Sequence, residues 1–508
     1  MIKLLLTTLN SKFIHSSLAL RYLYTSAMEN LDENNLRLDI KEFTINHDDD
    51  YITTEILRGD YGVVCFSVNI WNLGRVLNIC SIIKKAMPSL QIVLGGPEVS
   101  HEPLALLQDN RAIDFIVEGE GEYAFTALCD CKFENPGLSD IPGLVYRDRR
   151  DARIYVNTSQ EPLKMDSLPF PYKIIPPDQE KMVYYETSRG CPYTCSYCMS
   201  SIEKGIRALP EYRVKEELDY FLRSNISQVK LVDRTFNWDR NRCYRLLKHI
   251  IEKDNDITNW HFEISGEALD RPLLDLIGSA RPGLFQFEVG VQSTNKETLK
   301  AVKRSANVEQ VLENTRQLID LDNSHVHVDL IAGLPYETYE IFKKSFNDVY
   351  GLKADHFQLG FLKLLKGTEL RLQEDEYGYV FHDKPPYTII YNKYLSVWDI
   401  LRLKQIDRVL NLYYNRGGFQ LTLDYLSKLH NSAFDFYEEF ALFYYLKGFQ
   451  EVSHRKEDLY RILKKYGTWK NRTLEGTEDG VRKNLLKDME TTLNEDAVKK
   501  FNRKGWNI

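Results

Sequence analysis

Short apolar strands alternate with amphipathic helices twice along this chain of 508 residues, first through residues 1–150 and again through residues 181–370. Strands that recur between helical patterns indicate parallel sheets with helical crossovers, which is the α/β class. A chain of this length exceeds one ordinary domain. We therefore predict two α/β domains, a linker over residues 151–180 that is rich in proline, and a helical domain over residues 371–508.

The first series predicts an open, doubly wound, Rossmann-like sheet. Its strands are expected at residues 2–7, 37–43, 63–67, 92–94 and 115–117, and its helices at 17–29, 73–85, 103–107 and 122–129. Ligands of such sheets bind at the carboxyl ends of the strands. Those ends carry Ser67 and Asn69 after the third strand and Gly95 and Gly96 after the fourth, and glycine lets a ligand approach the backbone closely.

The second series predicts six further strands. They are expected at residues 182–187, 228–233, 261–265, 284–291, 326–332 and 356–361, with helices at 214–224, 240–252, 272–280, 307–321 and 339–350. From residue 371 onward the pattern becomes helical, with one helix at 392–415 that ends at Gly417 and Gly418. A second helix, around residues 434–444, is rich in aromatic side chains, which we expect in the core because they bury large areas.

The loop after the first strand of the second series contains Cys191, Cys195 and Cys198, spaced C-x3-C-x2-C. Thiolates are the usual ligands of iron–sulfur clusters, and complete ligation takes four cysteines. Three cysteines leave one iron free to bind a substrate. Zinc is the competing interpretation, but a structural zinc ion needs four ligands, and no second C-x2-C or H-x3-H pair is close in sequence. We predict a [4Fe-4S] cluster with one open iron.

This spacing, with Tyr197 directly before the last cysteine, resembles the radical S-adenosylmethionine (SAM) superfamily. Together with the strand ends of the first series, the chain resembles its cobalamin-dependent members. The resemblance implies a partial (β/α)6 barrel over residues 181–370 and three cofactors, namely the cluster, SAM and cobalamin. In that family the open iron binds the amino and carboxylate groups of SAM, and one electron cleaves SAM to methionine and a 5′-deoxyadenosyl radical.

The resemblance also implies roles for individual residues toward SAM. Asp233, at the end of the second barrel strand, matches the position that receives the SAM amino group, although Arg234 stands where relatives often carry a second acid. Gln292 and Ser293 match residues that reach the ribose and the carboxylate. Gly333 lies in the stretch that packs on the adenine.

Two glutamates and the ends of the first sheet complete the predicted site. Glu263 and Glu288 hold ribose or substrate if their side chains point inward, but an alternating strand points half its side chains to solvent. In relatives, a turn containing serine and a Gly-Gly pair surround the nucleotide tail of cobalamin. Here these are Ser67 with Asn69, and Gly95 with Gly96.

His15 does not match the histidine that some cobalamin domains supply as the lower axial ligand. That histidine belongs to a D-x-H-x-x-G motif, which this sequence lacks, and His15 has no aspartate partner to orient its imidazole. We expect cobalamin bound without a lower histidine from the protein. His15 is then a residue at a helix entry that bonds to backbone, with an axial ligand as the alternative.

The implied function is reductive cleavage of SAM and methyl transfer from cobalamin to an unactivated carbon of a small-molecule or natural-product substrate. Three alternatives stay open: a radical cyclisation, rearrangement or oxidation without methylation, an RNA-modifying enzyme like the methylthiotransferases, and a non-catalytic cobalamin sensor. Methylthiotransferases need cysteines for a second cluster. Cys65, Cys80, Cys129 and Cys131 are poorly placed for one and are interpreted as buried apolar side chains.

The formal net charge of −7 gives no field that would gather nucleic acid, so we expect no nucleic-acid partner. No apolar run approaches the roughly 18 residues of a membrane span, and the amino terminus has no signal-peptide core. An oxygen-sensitive cluster requires reducing conditions, which favours the cytoplasm. The expected partners are a small-molecule substrate and a flavodoxin or ferredoxin-type electron donor.

Overall fold

The computed structural model describes residues 2–31, 36–159, 161–202, 205–304 and 307–493. Two sheets with helical crossovers are followed by a helical region. The α/β fold class with its helical carboxyl-terminal region is therefore confirmed.

The first sheet has seven strands in the order β2-β1-β3-β4-β5-β6-β7, of which the first five in this order are parallel. The strands are β1 Ile2–Asn10, β2 Leu36–Thr44, β3 Val63–Ser67, β4 Gln91–Gly95, β5 Phe115–Val117, β6 Leu144–Arg147 and β7 Ile154–Val156. The helices are α1 Leu18–Asn30, α2 Asp49–Arg58, α3 Leu73–Ala86, α4 Pro103–Asp109 and α5 Gly121–Asp130.

Three elements of this region escaped sequence analysis. Helix α2 begins after Asp48, whose carboxylate caps it by accepting from the Asp50 backbone N–H. Strands β6 and β7 extend the sheet as an antiparallel hairpin. Strand β7 lies inside the segment expected to be a linker. It was missed because a three-residue strand is too short to give an alternation signal.

Apolar side chains cover both faces of the first sheet. The consecutive residues Leu4, Leu5 and Leu6 of β1 are all fully buried, and they belong to separate apolar clusters on the two faces. A sheet buried on both faces reads as a continuous apolar run. Only the ends of its strands remain available for ligands.

The second sheet has six parallel strands in the order β15-β14-β13-β12-β11-β8, which form a half-barrel. The strands are β8 Val183–Tyr185, β11 Gln228–Leu231, β12 Asn259–Ile264, β13 Phe285–Gln292, β14 His325–Ala332 and β15 His356–Phe361, with a separate antiparallel hairpin of β9 Ser188–Cys191 and β10 Gly205–Ala208. The helices are α6 Glu211–Arg223, α7 Arg240–Glu252, α8 Arg271–Gly278, α9 Lys296–Ala301, α10 Val308–Asp320 and α11 Tyr339–Tyr350.

Side chains alternate along the strands of the half-barrel. In β13, Phe285, Phe287 and Val289 are buried on the face that carries the helices, whereas Gln286 and Glu288 lie on the opposite, inner face. Successive strand residues point to opposite faces, so a sheet buried on one face alternates in this way. The inner face is polar and available to ligands.

The carboxyl-terminal region packs against the half-barrel. It contains α12 Glu369–Leu372, α13 Glu374–Tyr377, β16 Val380–Phe381, β17 Ile389–Tyr391, α14 Val397–Leu410, α15 Gln420–Lys428, α16 Ala433–Leu446, α17 Lys456–Lys470 and α18 Thr477–Thr492. The predicted helix at 392–415 begins at Val397, after a capping box of Ser396 and Asp399. The aromatic residues of α16 are buried as expected. None of the described helices has the length and apolar character to cross a membrane.

Candidate active site

A cavity of about 320 Å³ opens at the carboxyl ends of the half-barrel strands. Cys191, Cys195 and Cys198 all line it, although they come from a loop that spans eight residues. The opposite wall consists of inner-face residues of β12 to β15. The fold therefore brings the three predicted thiols to the place where parallel α/β structures bind ligands.

Asp233 holds the start of the cysteine loop. Its buried carboxylate accepts hydrogen bonds from the Thr187 backbone N–H at 2.8 Å and from the Thr187 and Ser188 hydroxyls at 2.6 Å each. Asp233 is fully buried and does not line the cavity, whereas its neighbour Arg234 does. Its predicted contact with SAM has no support in this geometry, because both carboxylate oxygens already have protein partners.

Arg304 lies beside the thiols and was not identified from the sequence. One of its nitrogens is 3.8 Å from Cys195 Sγ and 3.5 Å from the Tyr197 hydroxyl, and another bonds to the Gly290 carbonyl. Burial raises the pKa of the Cys195 thiol, and the Arg304 guanidinium opposes that rise. Burial disfavours the charge of Arg304 itself, but Tyr197, Cys195 and Asp329 keep its pKa above the ordinary value. A fixed cation beside a thiol favours the thiolate that iron requires.

The three thiols together line one cavity. Within the described ranges, no three His, Cys, Asp or Glu side chains meet the geometry for holding one metal ion. Cys191 Sγ lies 3.4 Å from the Thr235 hydroxyl, and Cys195 is the most buried of the three at 5% exposure. Three soft sulfur donors along one wall of a cavity match the donor set of an iron–sulfur cluster with an open position.

Gln292 has the features of a ligand contact. The side-chain amide N–H of Gln292 donates to both Asp329 carboxylate oxygens at 3.1 Å, which fixes the orientation of the amide. The amide oxygen is buried and finds no partner among the residues that the structure describes, although a buried acceptor normally has one. Burial raises the pKa of Asp329 to about 6. Both residues line the cavity, so Asp329 joins the predicted set.

Two other predicted SAM contacts have protein partners. The buried Ser293 hydroxyl donates to Glu337 Oε1 at 2.6 Å, and Ser293 lines a small neighbouring pocket rather than the main cavity. Gly333 adopts φ +101°, and its carbonyl accepts from the Tyr379 hydroxyl at 3.0 Å and from the Asn392 amide at 2.9 Å. Gly333 therefore joins the barrel to the carboxyl-terminal region, and its proximity to adenine stays a prediction.

Glu263 and Glu288 both point inward and line the cavity. Glu288 accepts from Lys230 Nζ at 2.9 Å and lies 3.3 Å from His261 Nε2. Burial alone would raise the pKa of Glu288, but His261 and Lys230 hold it at about 2. Glu263 lies 3.9 Å from Lys230 Nζ, and burial raises its pKa to about 7. One of these neighbouring carboxylates is thus firmly ionised and the other titrates near neutrality.

The carboxyl edge of the first sheet is locked by Asn72. Its side-chain amide donates to the Leu9 and Ser67 carbonyls at 3.1 and 3.3 Å, and its oxygen accepts from the Asn69 backbone N–H at 2.8 Å. These bonds tie the end of β1 to the end of β3. The segment with the predicted residues Ser67 and Asn69 is therefore held by hydrogen bonds within the protein.

Gly95, the last residue of β4, and Gly96, which follows it, differ in whether the backbone requires a glycine. Gly96 adopts φ +110°, and a Cβ there would collide with the Val68 backbone. A Cβ on Gly95 would only touch Val117 at 3.9 Å, an ordinary contact. Gly96 is required by the protein's own backbone, whereas the fold permits a side chain at Gly95.

His15 bonds to a side chain of the half-barrel rather than to backbone through its ring. Its Nδ1 lies 2.6 Å from the Tyr184 hydroxyl. Burial, with Lys12 and Lys230, lowers the pKa of His15. The backbone N–H of His15 donates to the Lys12 carbonyl at 3.3 Å, so the residue bonds to backbone as expected while its imidazole bonds to Tyr184 of β8. The Tyr184 bond occupies only one ring nitrogen, so cobalamin binding without a lower histidine stays a prediction.

Residues 5–129 match the family described as "B12 binding domain", residues 185–349 match "Radical SAM superfamily", and residues 375–504 match "Protein of unknown function (DUF4080)". The first two matches coincide with the two sheets and with the cavity that contains the cysteines. This chain therefore carries a B12-binding domain followed by a radical SAM domain. Its expected cofactors are therefore confirmed at the level of these domains.

Two curated relatives illustrate what this chain is similar to. TokK of Streptomyces tokunonensis, described as a cobalamin-dependent radical SAM methyltransferase, is 26% identical in an alignment of 313 positions that covers 55% of this chain and 44% of TokK. PH0819 of Pyrococcus horikoshii, described as an uncharacterized methyltransferase, is 25% identical in an alignment of 352 positions that covers 66% of this chain and 74% of that protein. The match thus spans less than half the length of TokK.

Two solved structures share the fold. TsrM from Kitasatospora setae, with cobalamin and a [4Fe-4S] cluster bound, aligns with a TM-score of 0.61 and 18% identity over 76% of this chain and 82% of TsrM. OxsB, a cobalamin-dependent SAM radical enzyme with aqua-cobalamin bound, aligns with a TM-score of 0.66 and 16% identity over 98% of this chain and 81% of OxsB.

Proposed function

We propose that this radical SAM enzyme transfers a methyl group to an unactivated carbon of a small-molecule substrate. The observation that carries the proposal is the single cavity in which Cys191, Cys195 and Cys198 face Gln292 and Arg304, in a chain that also has a B12-binding domain. Methyltransferases among the relatives support the same choice.

The protein's own residues bind, orient and exclude water, since the reactive steps belong to the cofactors. When bound, the cluster supplies an electron for the cleavage of SAM, and cobalamin supplies the methyl group. Cys191, Cys195 and Cys198 would hold the cluster. Gln292, held by Asp329, presents an acceptor oxygen to SAM.

The charged groups of the cavity wall would orient the bound molecules. Arg234 and Arg304 offer positive charge to a carboxylate, and ionised Glu288 offers negative charge to a hydroxyl or amino group. Glu263 takes up or releases a proton near neutral pH because burial raises its pKa to about 7. The electron donor we propose is a flavodoxin or ferredoxin-type protein.

Anaerobic incubation with SAM, dithionite and hydroxocobalamin tests this function before the substrate is known. We expect S-adenosylhomocysteine that depends on added cobalamin, together with 5′-deoxyadenosine that depends on the cluster. Deoxyadenosine without any cobalamin-dependent S-adenosylhomocysteine contradicts methyl transfer. That outcome favours a radical reaction without methylation. A relative from Synechocystis that is described as an anaerobic magnesium-protoporphyrin IX monomethyl ester cyclase, 26% identical over 259 residues, supports this alternative.

The methylthiotransferase alternative has less support from the structure. Methylthiotransferases named RimO are 23% identical to parts of this chain. Cys65, Cys80 and Cys129 are buried, and burial raises the pKa of each thiol, so these cysteines are poor ligands. A sensor without catalysis has no need for a cysteine set that leaves an iron open.

A further inference from the structure

An ion-pair network joins the cysteine loop to the carboxyl edge of the first sheet. Its centre is Arg189, two residues before Cys191. Arg189 Nη1 donates to Glu120 Oε1 at 2.8 Å, and Nη2 donates to Glu122 Oε1 at 2.6 Å. Nε and Nη2 also reach Glu186 Oε1 at 3.0 and 2.7 Å. Every nitrogen of this guanidinium therefore has a carboxylate partner.

Of the two distant carboxylates, Glu120 lies in the loop between β5 and α5, and Glu122 lies in the first turn of α5. This loop follows the last parallel strand of the B12-binding domain, at the edge where such sheets bind ligands. Glu120 also accepts from Arg207 at 2.9 and 3.1 Å and from the Leu163 backbone N–H at 2.6 Å. Arg207 lies directly opposite Arg189 in the β9–β10 hairpin. Both strands of the hairpin are thus fastened to the same loop of the first domain.

The geometry of the network suits it to pass a displacement from the first domain to the cysteine loop. The Arg189 side chain is only 15% exposed, and its planar fork fixes direction as well as distance. The two backbones of the hairpin approach closely beside Arg189, since Gly190 adopts φ +93° and a Cβ there would collide with the Gly205 backbone. We therefore expect a shift of the segment from Glu120 to Glu122 to move the backbone that leads into Cys191.

We infer that Arg189, with Glu120 and Glu122, couples occupancy of the cobalamin edge to the geometry of the cluster loop. The inference rests on the proposed function, in which one reaction uses both cofactors. Arg189 is a positioning residue, because its nitrogens are committed to carboxylates. Coupling between two binding sites is reciprocal, so a loaded cluster loop must change the affinity for cobalamin by the factor with which cobalamin changes the cluster site.

Titration with hydroxocobalamin, followed by its visible spectrum, measures this coupling without turnover. The full chain is titrated once with a reconstituted, oxidised cluster and once without a cluster. We expect the two dissociation constants of the wild type to differ by about fivefold or more. Arg189→Lys keeps the charge but loses the fork, and Glu122→Gln removes one carboxylate from the far side of the network. In both variants the ratio is expected to fall toward 1, although the bonds of Glu120 to Arg207 remain.

Arg281→Lys is the matched control. Arg281 pairs with Asp254 at 2.5 Å and lies near the amino-terminal end of β13, away from both edges. The ratio of the two dissociation constants in Arg281→Lys must equal that of the wild type. Iron content and circular dichroism establish that all variants carry the cluster and fold equally. If Arg189→Lys does not take up iron, the result for Glu122→Gln tests the coupling.

The outcomes separate the coupling from the proposed function. A wild-type ratio of 1, or a ratio that survives in Glu122→Gln, overturns the coupling while cobalamin binding persists. If the wild type binds no hydroxocobalamin at all, the proposed function fails, and the coupling fails with it.

Discussion

The two parallel sheets of this protein differ in how many of their faces are buried. The first sheet packs apolar side chains on both faces, and its candidate ligand residues lie only at the carboxyl ends of the strands and in the loops that follow. The half-barrel buries one face, and its inner face contributes Glu263, Glu288 and Asp329 from within or beside the strands. One-sided burial thus turns a sheet surface into a binding wall, whereas two-sided burial confines binding to an edge.

The largest expected difference separates two adjacent residues of β13. Phe287 is 1% exposed on the apolar face, and its replacement by alanine is expected to cost about 3–5 kcal/mol of unfolding free energy. Gln286→Ala, on the inner face, should cost about 1 kcal/mol or less, the value of a partly solvated hydrogen bond. Urea unfolding followed by circular dichroism measures both. Equal losses would mean that the inner face is packed as tightly as the outer one.

The edge of the first sheet gives a second contrast, between Gly95 and Gly96. Gly96→Ala forces a side chain into the Val68 backbone at a positive φ and is expected to destabilise the protein by about 1–3 kcal/mol. Gly95→Ala should leave stability within about 0.5 kcal/mol. If cobalamin approaches this edge, Gly95→Ala instead weakens hydroxocobalamin binding by about tenfold, or 1.4 kcal/mol. Unchanged affinity would remove Gly95 from the site.

A smaller effect depends on pH. The folded protein raises the pKa of Glu263 from 4.5 to about 7, so the contribution of Glu263 to stability is fully present below pH 4.5 and is lost as the pH rises through 7. Glu263→Gln, measured without cofactors, should therefore be more stable than the wild type at pH 8, by about 1 kcal/mol after allowance for the open side of the cavity. At pH 4 the two should agree.

Glu288→Gln is expected to change the stability at pH 8 in the opposite direction. His261 and Lys230 hold the pKa of Glu288 at about 2, so its contribution is present above pH 4.5 and lost as the pH falls toward 2. This variant should be less stable than the wild type at pH 8. If thermal melts show the same sign for both variants, the assignment of one ionised and one titrating carboxylate is wrong.

The smallest expected effect is at His15. His15→Ala should leave the electron paramagnetic resonance spectrum of bound cob(II)alamin unchanged, because we expect cobalamin to bind without a lower histidine from the protein. Tyr184→Phe should cost about 0.5–1.5 kcal/mol for the lost hydrogen bond. Loss of a nitrogen splitting in His15→Ala would identify His15 as the axial ligand.

Local signals were sufficient for most of the architecture. Alternation in β13 and β14 marks strands with one polar face, although the sequence left open whether Glu263 and Glu288 point inward. The cysteine spacing alone singled out Cys191, Cys195 and Cys198. These signals lie within one element or one loop, which is why the sequence exposes them.

Contacts between distant segments could not be predicted. The pairing of Arg189 with Glu120 and the approach of Arg304 to Cys195 depend on how separate loops meet, and no local pattern encodes that. The partners of Asp233, Thr187 and Ser188, were likewise not visible in the sequence, and its contact with SAM stays a prediction. Short strands such as β7 carry too few residues for any period to appear.

The most direct measurement compares iron content and SAM cleavage in the wild type and in the triple variant Cys191→Ala, Cys195→Ala, Cys198→Ala. After anaerobic reconstitution the wild type should contain about four irons per chain and form 5′-deoxyadenosine with dithionite. The triple variant should do neither, while Cys243→Ala, a buried cysteine outside the loop, should match the wild type. Retention of iron and of SAM cleavage in the triple variant would contradict the central claim that these three thiols hold the cluster.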